Sequence, residues 1–246
     1  MRNLHNFNYP KLSEEDCDRD AIRKDYMRQQ CRIAVKNLEK NNFEAHYCDS
    51  VAEAKDLVLS MIPDDGVIGF GDSHTVFALE LDEDLEKKNC VSIPHTCAVN
   101  NYVMEHNSPG WKIIGNKEEM REILRQYLVA NVFILGANAV TIDGQIVNID
   151  GAGNRIAGSL YGSDRIIVVA GANKLVKDVN AGLDRIRFIA AQMNNIKYGN
   201  ELACNKSGVC LECRSAERNC NITSIIHKRP QDSDFHVILV AEELGF

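Results

Sequence analysis

Four short, mostly apolar runs, 67–70, 132–135, 165–170 and 235–240, constrain the fold of this chain more than any other feature. Each is short for a helix and, Arg165 and His236 aside, apolar at consecutive rather than alternating positions. Such a run needs cover on both faces, the pattern of a central strand in a parallel sheet. The stretches between them carry helical spacing instead. Met27, Cys31, Val35 and Leu38 recur on one face, behind a cap at Ser13 with Asp16 three residues on, and the pattern stops at Asn41-Asn42. Ser50 and Glu53 form a capping box ahead of Ala54, Leu57, Val58 and Met61. Asn116 and Glu119 precede Met120, Ile123, Leu124, Tyr127 and Leu128, and a later face runs through Val179, Leu183, Ile186, Ala190 and Met193. Alternating strands and helices predict an α/β fold: a mostly parallel open sheet with helices on both faces. A helical extension over 1–42 precedes an α/β core over 43–246.

Smaller elements fill in the order. A strand is expected over 43–48, a turn at Pro63-Asp64-Asp65-Gly66, a helix over 75–81 and a strand over 91–93. The stretch 96–110 has no usable pattern. Asp143-Gly144 between two apolar pieces signals a hairpin, a helix is expected over 154–161, and a strand over 222–226. A chain of 246 residues with 45% hydrophobic content buries a core without disulfides. Its formal charge of −7 argues against a nucleic-acid-coating surface or a polybasic membrane patch. The longest apolar run, 166–172, is far short of a membrane span, and the charged first 30 residues do not read as a secretory signal. The expectation is a cytoplasmic protein that engages neither nucleic acid nor membrane.

Three segments can carry chemistry. The first, Gly69-Phe70-Gly71-Asp72-Ser73-His74, follows a buried strand and opens a helix, where backbone N–H groups can receive an anion. It has neither the dinucleotide nor the P-loop spacing, and the alternative is a tight strand–helix turn capped by Asp72 or Ser73. The second runs from Gly136 through Asn148, Asp150, Gly153, Asn154 and Arg155. Asp143-Gly144 reads as turn chemistry, whereas Asn148, Asp150 and Arg155 are candidates for a polar ligand. Lys174, just past the strand 165–170, can pair with a phosphate or carboxylate in the same crevice, or be a solvated residue at a helix start. These residues together predict a small anionic ligand.

The third is a cysteine cluster. Of nine cysteines, Cys204, Cys210, Cys213 and Cys220 fall within 17 residues, where an even spread would place roughly 0.6. Four thiols can hold zinc or an iron–sulfur cluster, although the spacing matches neither paired CxxC knuckles nor the ferredoxin run. Lys206, Arg214 and Arg218 nearby favour thiolates. A Cys210–Cys213 redox pair and four ordinary loop thiols are the alternatives. No nucleophile elbow, HExxH motif or catalytic triad order is present.

From Phe43 onward the chain resembles the LUD-domain family of lactate-utilisation proteins, closest to LutC-like, stand-alone members from anaerobic bacteria, which tend to carry a late Cys-rich loop. The runs that carry the resemblance are VIGFGDS at 67–73, GANAVTIDGQIVNIDGAGNR at 136–155, IIVVAGANKLVKD at 166–178 and the ending VILVAEELGF. The resemblance implies a fold similar to the ribose-phosphate isomerase, glucosamine-phosphate deaminase and CoA-transferase superfamily, with residues 69–73 as the glycine-rich ligand loop. Methylthioribose-phosphate isomerases, which the segment 136–148 also resembles, have a catalytic Asp where this chain has Asn138, and an amide cannot shuttle that proton. The implied role is a component of cytoplasmic L-lactate oxidation to pyruvate alongside iron–sulfur partner subunits. An independent enzyme or a binding protein for a phosphorylated or CoA-linked small molecule is the alternative. A homodimer is the default assembly for an α/β protein of this size.

Overall fold

The computed structural model describes residues 17–93, 103–106, 111–114, 121, 122, 124–197, 199 and 201–246. The chain begins with α1 (Arg19–Lys40), capped by Asp18, whose carboxylate accepts from the Ala21 N–H at 2.9 Å. The cap expected at Ser13 and Asp16 lies outside the described residues. Then come β1 (Glu44–Cys48), α2 (Val51–Met61), β2 (Val67–Phe70), α3 (His74–Phe77), α4 (Asp82–Lys87), β3 (Val91–Ile93) and the hairpin β4 (Val103–His106) and β5 (Trp111–Ile114). A 3-10 turn (Gln126–Val129) leads to β6 (Val132–Gly136), β7 (Ala139–Thr141), β8 (Ile146–Asp150), α5 (Asn154–Leu160) and β9 (Arg165–Gly171). A second 3-10 turn (Ala172–Lys174), β10 (Leu175–Val176), α6 (Val179–Arg185), a π-helical stretch (Ile186–Ala190), α7 (Ala191–Lys197), α8 (Ala203–Ser207), β11 (Ile222–Ile226) and β12 (Asp234–Val240) complete it.

The apolar runs form the expected sheet. Six strands in the order β1-β12-β9-β6-β2-β3 pair in parallel throughout. Alternate residues of the central strands enter two cores. Phe133, Leu135, Ile166, Val168, Phe235 and Val237 face Cys31, Ala34 and Leu38 of α1. Val132, Ile134, Ile167, Val169 and Ile238 face Ala54 and Val58 of α2 and Val76 and Leu85 of α3 and α4. Both faces are covered, so the strands read as continuous rather than alternating apolar runs. A smaller four-stranded sheet, β10-β7-β8-β11, contains the expected hairpin, with Val140 opposite Ile146.

Connectivity places a crevice. From β2 the chain passes over the α3–α4 face to β3, whereas from β6 it passes over the other face, where Gly158 of α5 packs on Phe133, to β9. The two connections diverge at the carboxyl ends of β2 and β6, a topological switch point, where open α/β sheets bind ligands.

Three local readings change. Ser50 caps α2 as expected, its Oγ accepting from the Glu53 N–H at 3.3 Å, but the Glu53 carboxylate accepts from the Asp49 N–H at 2.8 Å and so completes the box one residue early. The helix expected over 75–81 stops at Phe77, and Glu80 adopts φ +49° before α4 begins. The face drawn through Met193 is broken by the π-helical stretch. One residue inserted into a helix rotates everything downstream, so Ala191, Gln192 and Asn195 turn inward and Met193 is left 41% exposed.

Candidate functional site

The crevice lies at the ends of β2, β6 and β9, and glycines at the first two let side chains pass close to the backbone. A Cβ at Gly71 would lie 2.9 Å from Leu135 Cβ and 3.0 Å from Arg155 Cγ, so the bare backbone after β2 leaves room for the Arg155 stem. A Cβ at Gly136, the last residue of β6, would collide with Ser73 Oγ and come within 3.7 Å of Lys174 Nζ. Gly69 serves packing instead: its missing side chain admits the Phe133 ring. The structure therefore brings Gly71, Ser73, Arg155 and Lys174 together around Gly136.

Lys174 is not solvated. It ends the 3-10 turn after β9 at 4% exposure, and Nζ donates to Thr75 Oγ1 at 2.6 Å. Thr75 Oγ1 in turn donates to the Leu244 carbonyl at 3.1 Å. Burial, then the charges of Arg185 and Arg155, push the lysine pKa down from 10.5 to about 7. Arg185 is itself buried, which lowers its pKa, and its Nη1 and Nε donate to the carbonyls of Asn138 at 2.7 Å and Asn173 at 3.1 Å. Arg155 donates from Nη2 to Asn138 Oδ1 at 2.9 Å and to the Ile149 carbonyl at 2.5 Å. Among the described residues none of these three cations pairs with a carboxylate. Their charge is offset only by carbonyl and hydroxyl dipoles, an arrangement that receives an anion.

Asp72 and His74 lie beside this set. Asp72 takes both oxygens to Lys197 of α7, at 2.6 and 2.7 Å, and the side chains of the pair are 6% and 7% exposed. His74 opens α3 with its ring 4.5 Å from the Phe246 ring, and its Nε2 is buried with no hydrogen-bond partner among the described residues. Burial, then the Lys197 charge, lowers its pKa, so the ring is neutral near pH 7.

Asn148, Asp150 and Gly153 make local structural contacts in and after β8. The Asn138 N–H donates to Asn148 Oδ1 at 2.9 Å, and the Ile149 N–H donates back to Asn138 Oδ1 at 2.9 Å. Asp150 Oδ2 accepts from the Ile156 N–H at 3.0 Å, tying β8 to the first turn of α5. Gly153, at φ +90°, caps that helix in a left-handed conformation that favours glycine. Asn154 Nδ2 is buried without a partner among the described residues.

The cysteine loop packs elsewhere. Arg218 donates to the carbonyls of Cys213 at 2.6 Å and Cys220 at 2.7 Å, and its pKa is raised first by a side-chain hydrogen bond with Cys220, then by the charges of Cys220, Cys213 and Cys210. Asn195 Nδ2 lies 3.9 Å from Cys204 Sγ. Among the described residues no three His, Cys, Asp or Glu side chains converge in a geometry that would hold a metal ion. The loop as folded thus packs around the Arg218 guanidinium.

Sequence reasoning missed Thr75, Arg185 and Lys197. Arg185 sits in an amphipathic helix, where a charged residue reads as solvated surface. Lys197 is 125 positions from Asp72. A local signal existed only for Thr75, next to the glycine-rich loop.

The described helices include none long and apolar enough to cross a membrane. No curated protein matches the chain. Among solved structures it is similar to a DUF162-family protein from Deinococcus radiodurans, at 12% identity and TM-score 0.45 over 88% of this chain and 98% of that one. It is also similar to the ribose 5-phosphate isomerase from Plasmodium falciparum, at 19% identity and TM-score 0.32 over 52% and 54% of the two chains. A Pyrococcus horikoshii OT3 translation initiation factor eIF-2B is similar at 16% identity and TM-score 0.36 over 74% and 61%. The family profile of the LUD domain matches residues 31–240, most of the sequence, and the chain belongs to the LUD-domain family.

Proposed function

We propose that this protein works in lactate utilisation, as a component of L-lactate oxidation to pyruvate, and that its own part is to bind a small anion in the crevice between β2 and β6. The observation that carries the reading is the set Lys174, Arg155 and Arg185: two guanidinium cations and a buried lysine, none with a carboxylate partner among the described residues, at a topological switch point. Membership of the LUD-domain family supports the pathway, since its members resemble lactate-utilisation proteins. A phosphorylated or CoA-linked ligand would use the same cations, and the probes below separate the two. Iron–sulfur subunits are the partners this role requires, and a zinc ion or iron–sulfur cluster on Cys204, Cys210, Cys213 and Cys220 belongs to the same proposal. Metal analysis of anaerobically purified protein tests that part: stoichiometric zinc or iron supports it, and a metal-free folded protein removes it.

The anion reading is tested by thermal unfolding with L-lactate, pyruvate, inorganic phosphate, sugar phosphates and CoA esters. A ligand at 100 times its Kd stabilises by about 2.7 kcal/mol, and each kcal/mol raises Tm by about 2–4 °C for a chain of this size. At least one probe should give such a shift, and Arg155→Gln should abolish it. No shift with any probe would overturn the reading.

A further inference from the structure

Lys174 is buried in an unusual way. A buried ammonium normally pairs with a carboxylate. Here its hydrogen-bond partner is the Thr75 hydroxyl, and its charged neighbours are Arg185 and Arg155. Thr75 Oγ1 donates its own proton to the Leu244 carbonyl, so toward Lys174 it acts as an acceptor. It takes one N–H and leaves the nitrogen lone pair uncommitted. Gly136 lets the Ser73 hydroxyl into the space beside Nζ: a Cβ there would collide with Ser73 Oγ and lie 3.7 Å from Nζ, so a small hydroxyl and not a carbon side chain neighbours the amine. Desolvation beside other cations is the environment that turns a lysine into a nucleophile. Burial, then the two arginines, keep the amine neutral down to about pH 7, and the same arginines supply the positive charge for the anionic end of a ligand whose other end meets Nζ.

We propose that Lys174 is a covalent nucleophile that captures the carbonyl carbon of a small anionic oxo compound as a Schiff base. This rests on the crevice being an anion site and names the ligand chemistry it takes: an aldehyde or ketone next to a carboxylate or phosphate. The Nζ lone pair bonds the carbonyl carbon while the C=O π pair moves to oxygen. A proton passes from nitrogen to oxygen, giving a carbinolamine. The C–O bond then breaks, oxygen leaves as water with a second proton, and the nitrogen lone pair forms C=N. Amine and carbonyl give imine and water, with no change of oxidation state. His74, whose buried Nε2 has no hydrogen-bond partner among the described residues, feels the Lys174 charge, which adds to burial and Lys197 in lowering its pKa.

The test is reductive trapping on the native, full-length protein near neutral pH. Pyruvate and dihydroxyacetone phosphate are the two probes, one carrying a carboxylate and the other a phosphate, each followed by sodium borohydride and intact-mass analysis. The expected result is a single adduct, equal to the probe mass less one oxygen, that peptide mapping places on Lys174. Lys174→Arg should lose it with its circular dichroism unchanged; the wild-type peptide map decides the matter even if that variant does not fold. An adduct with one probe and not the other identifies the anionic group. Adducts spread over surface lysines, or none with either probe while phosphate still raises Tm, would overturn the inference and leave the anion site standing. No adduct and no thermal shift with any anion would remove both.

Discussion

At the scale of single residues, Asp72 and Lys197 define how costly the crevice is to disturb. Both side chains are nearly buried, so removing one charge strands the other away from water. Lys197→Met should destabilise the protein by about 3–5 kcal/mol in urea unfolding, and Asp72→Asn on top of it should recover part of the loss. Lys174 makes a prediction with a defined sign. The unfolded chain keeps that ammonium up to about pH 10.4, whereas the folded protein releases the proton at about 7. Between these values the unfolded state binds more protons. Stability from this group therefore grows as pH rises through the window and is lost as pH falls toward 7. The slope is at most about 1.4 kcal/mol per pH unit. Unfolding curves of wild type and Lys174→Met across that range should differ by this slope, and parallel pH dependences would refute it. In sequence, Arg155 and Lys174 stood out because each follows a strand end. Arg185 and Lys197 did not, because a charged residue on an amphipathic helix carries no mark of which neighbour it will meet.

At the scale of elements, the β7–β8 hairpin is held by more than its turn. Gly144 sits at φ +86°, and a Cβ there would lie 2.5 Å from the Asn37 carbonyl carbon. The Asn37 side chain donates to the Ile142 carbonyl at 2.8 Å, and Asn41 donates to those of Asp143 at 3.0 Å and Gly144 at 2.8 Å. The hairpin tip is thus clamped under the end of α1. Gly144→Ala should cost at least about 1–2 kcal/mol from the left-handed backbone alone, with added loss from the clash. Thermal unfolding measures it, and a neutral outcome would mean that α1 does not hold the tip. The Asp143-Gly144 turn was legible because its dipeptide dictates local geometry. Its docking to α1 was not, because those contacts join residues about a hundred positions apart. The π-helical stretch was likewise invisible to a period count: one extra residue leaves composition unchanged and rotates Met193 outward while burying Asn195.

At the scale of the whole molecule, α1 closes one face of the sheet through Cys31, Ala34 and Leu38, while α2, α3 and α4 close the other. The fold class was legible because a strand buried on both faces must be apolar at successive positions, and an intervening helix must be apolar at every third or fourth. Those are local requirements, imposed residue by residue, and the sequence by itself determined them: the central strands, most of the long helices, the hairpin and the glycine-rich strand ends. It could not determine strand order. The order β1-β12-β9-β6-β2-β3 decides that β2 and β6 are neighbours with diverging connections, and hence where the crevice lies. Only the tertiary structure decided that Lys174 is buried rather than solvated, beside two arginines and paired with no carboxylate among the described residues. The physical reason is that desolvation and Coulomb interactions depend on distance through space. Arg155, Lys174 and Arg185 acquire their shared chemistry only when α5, β9 and α6 meet over the carboxyl end of β6.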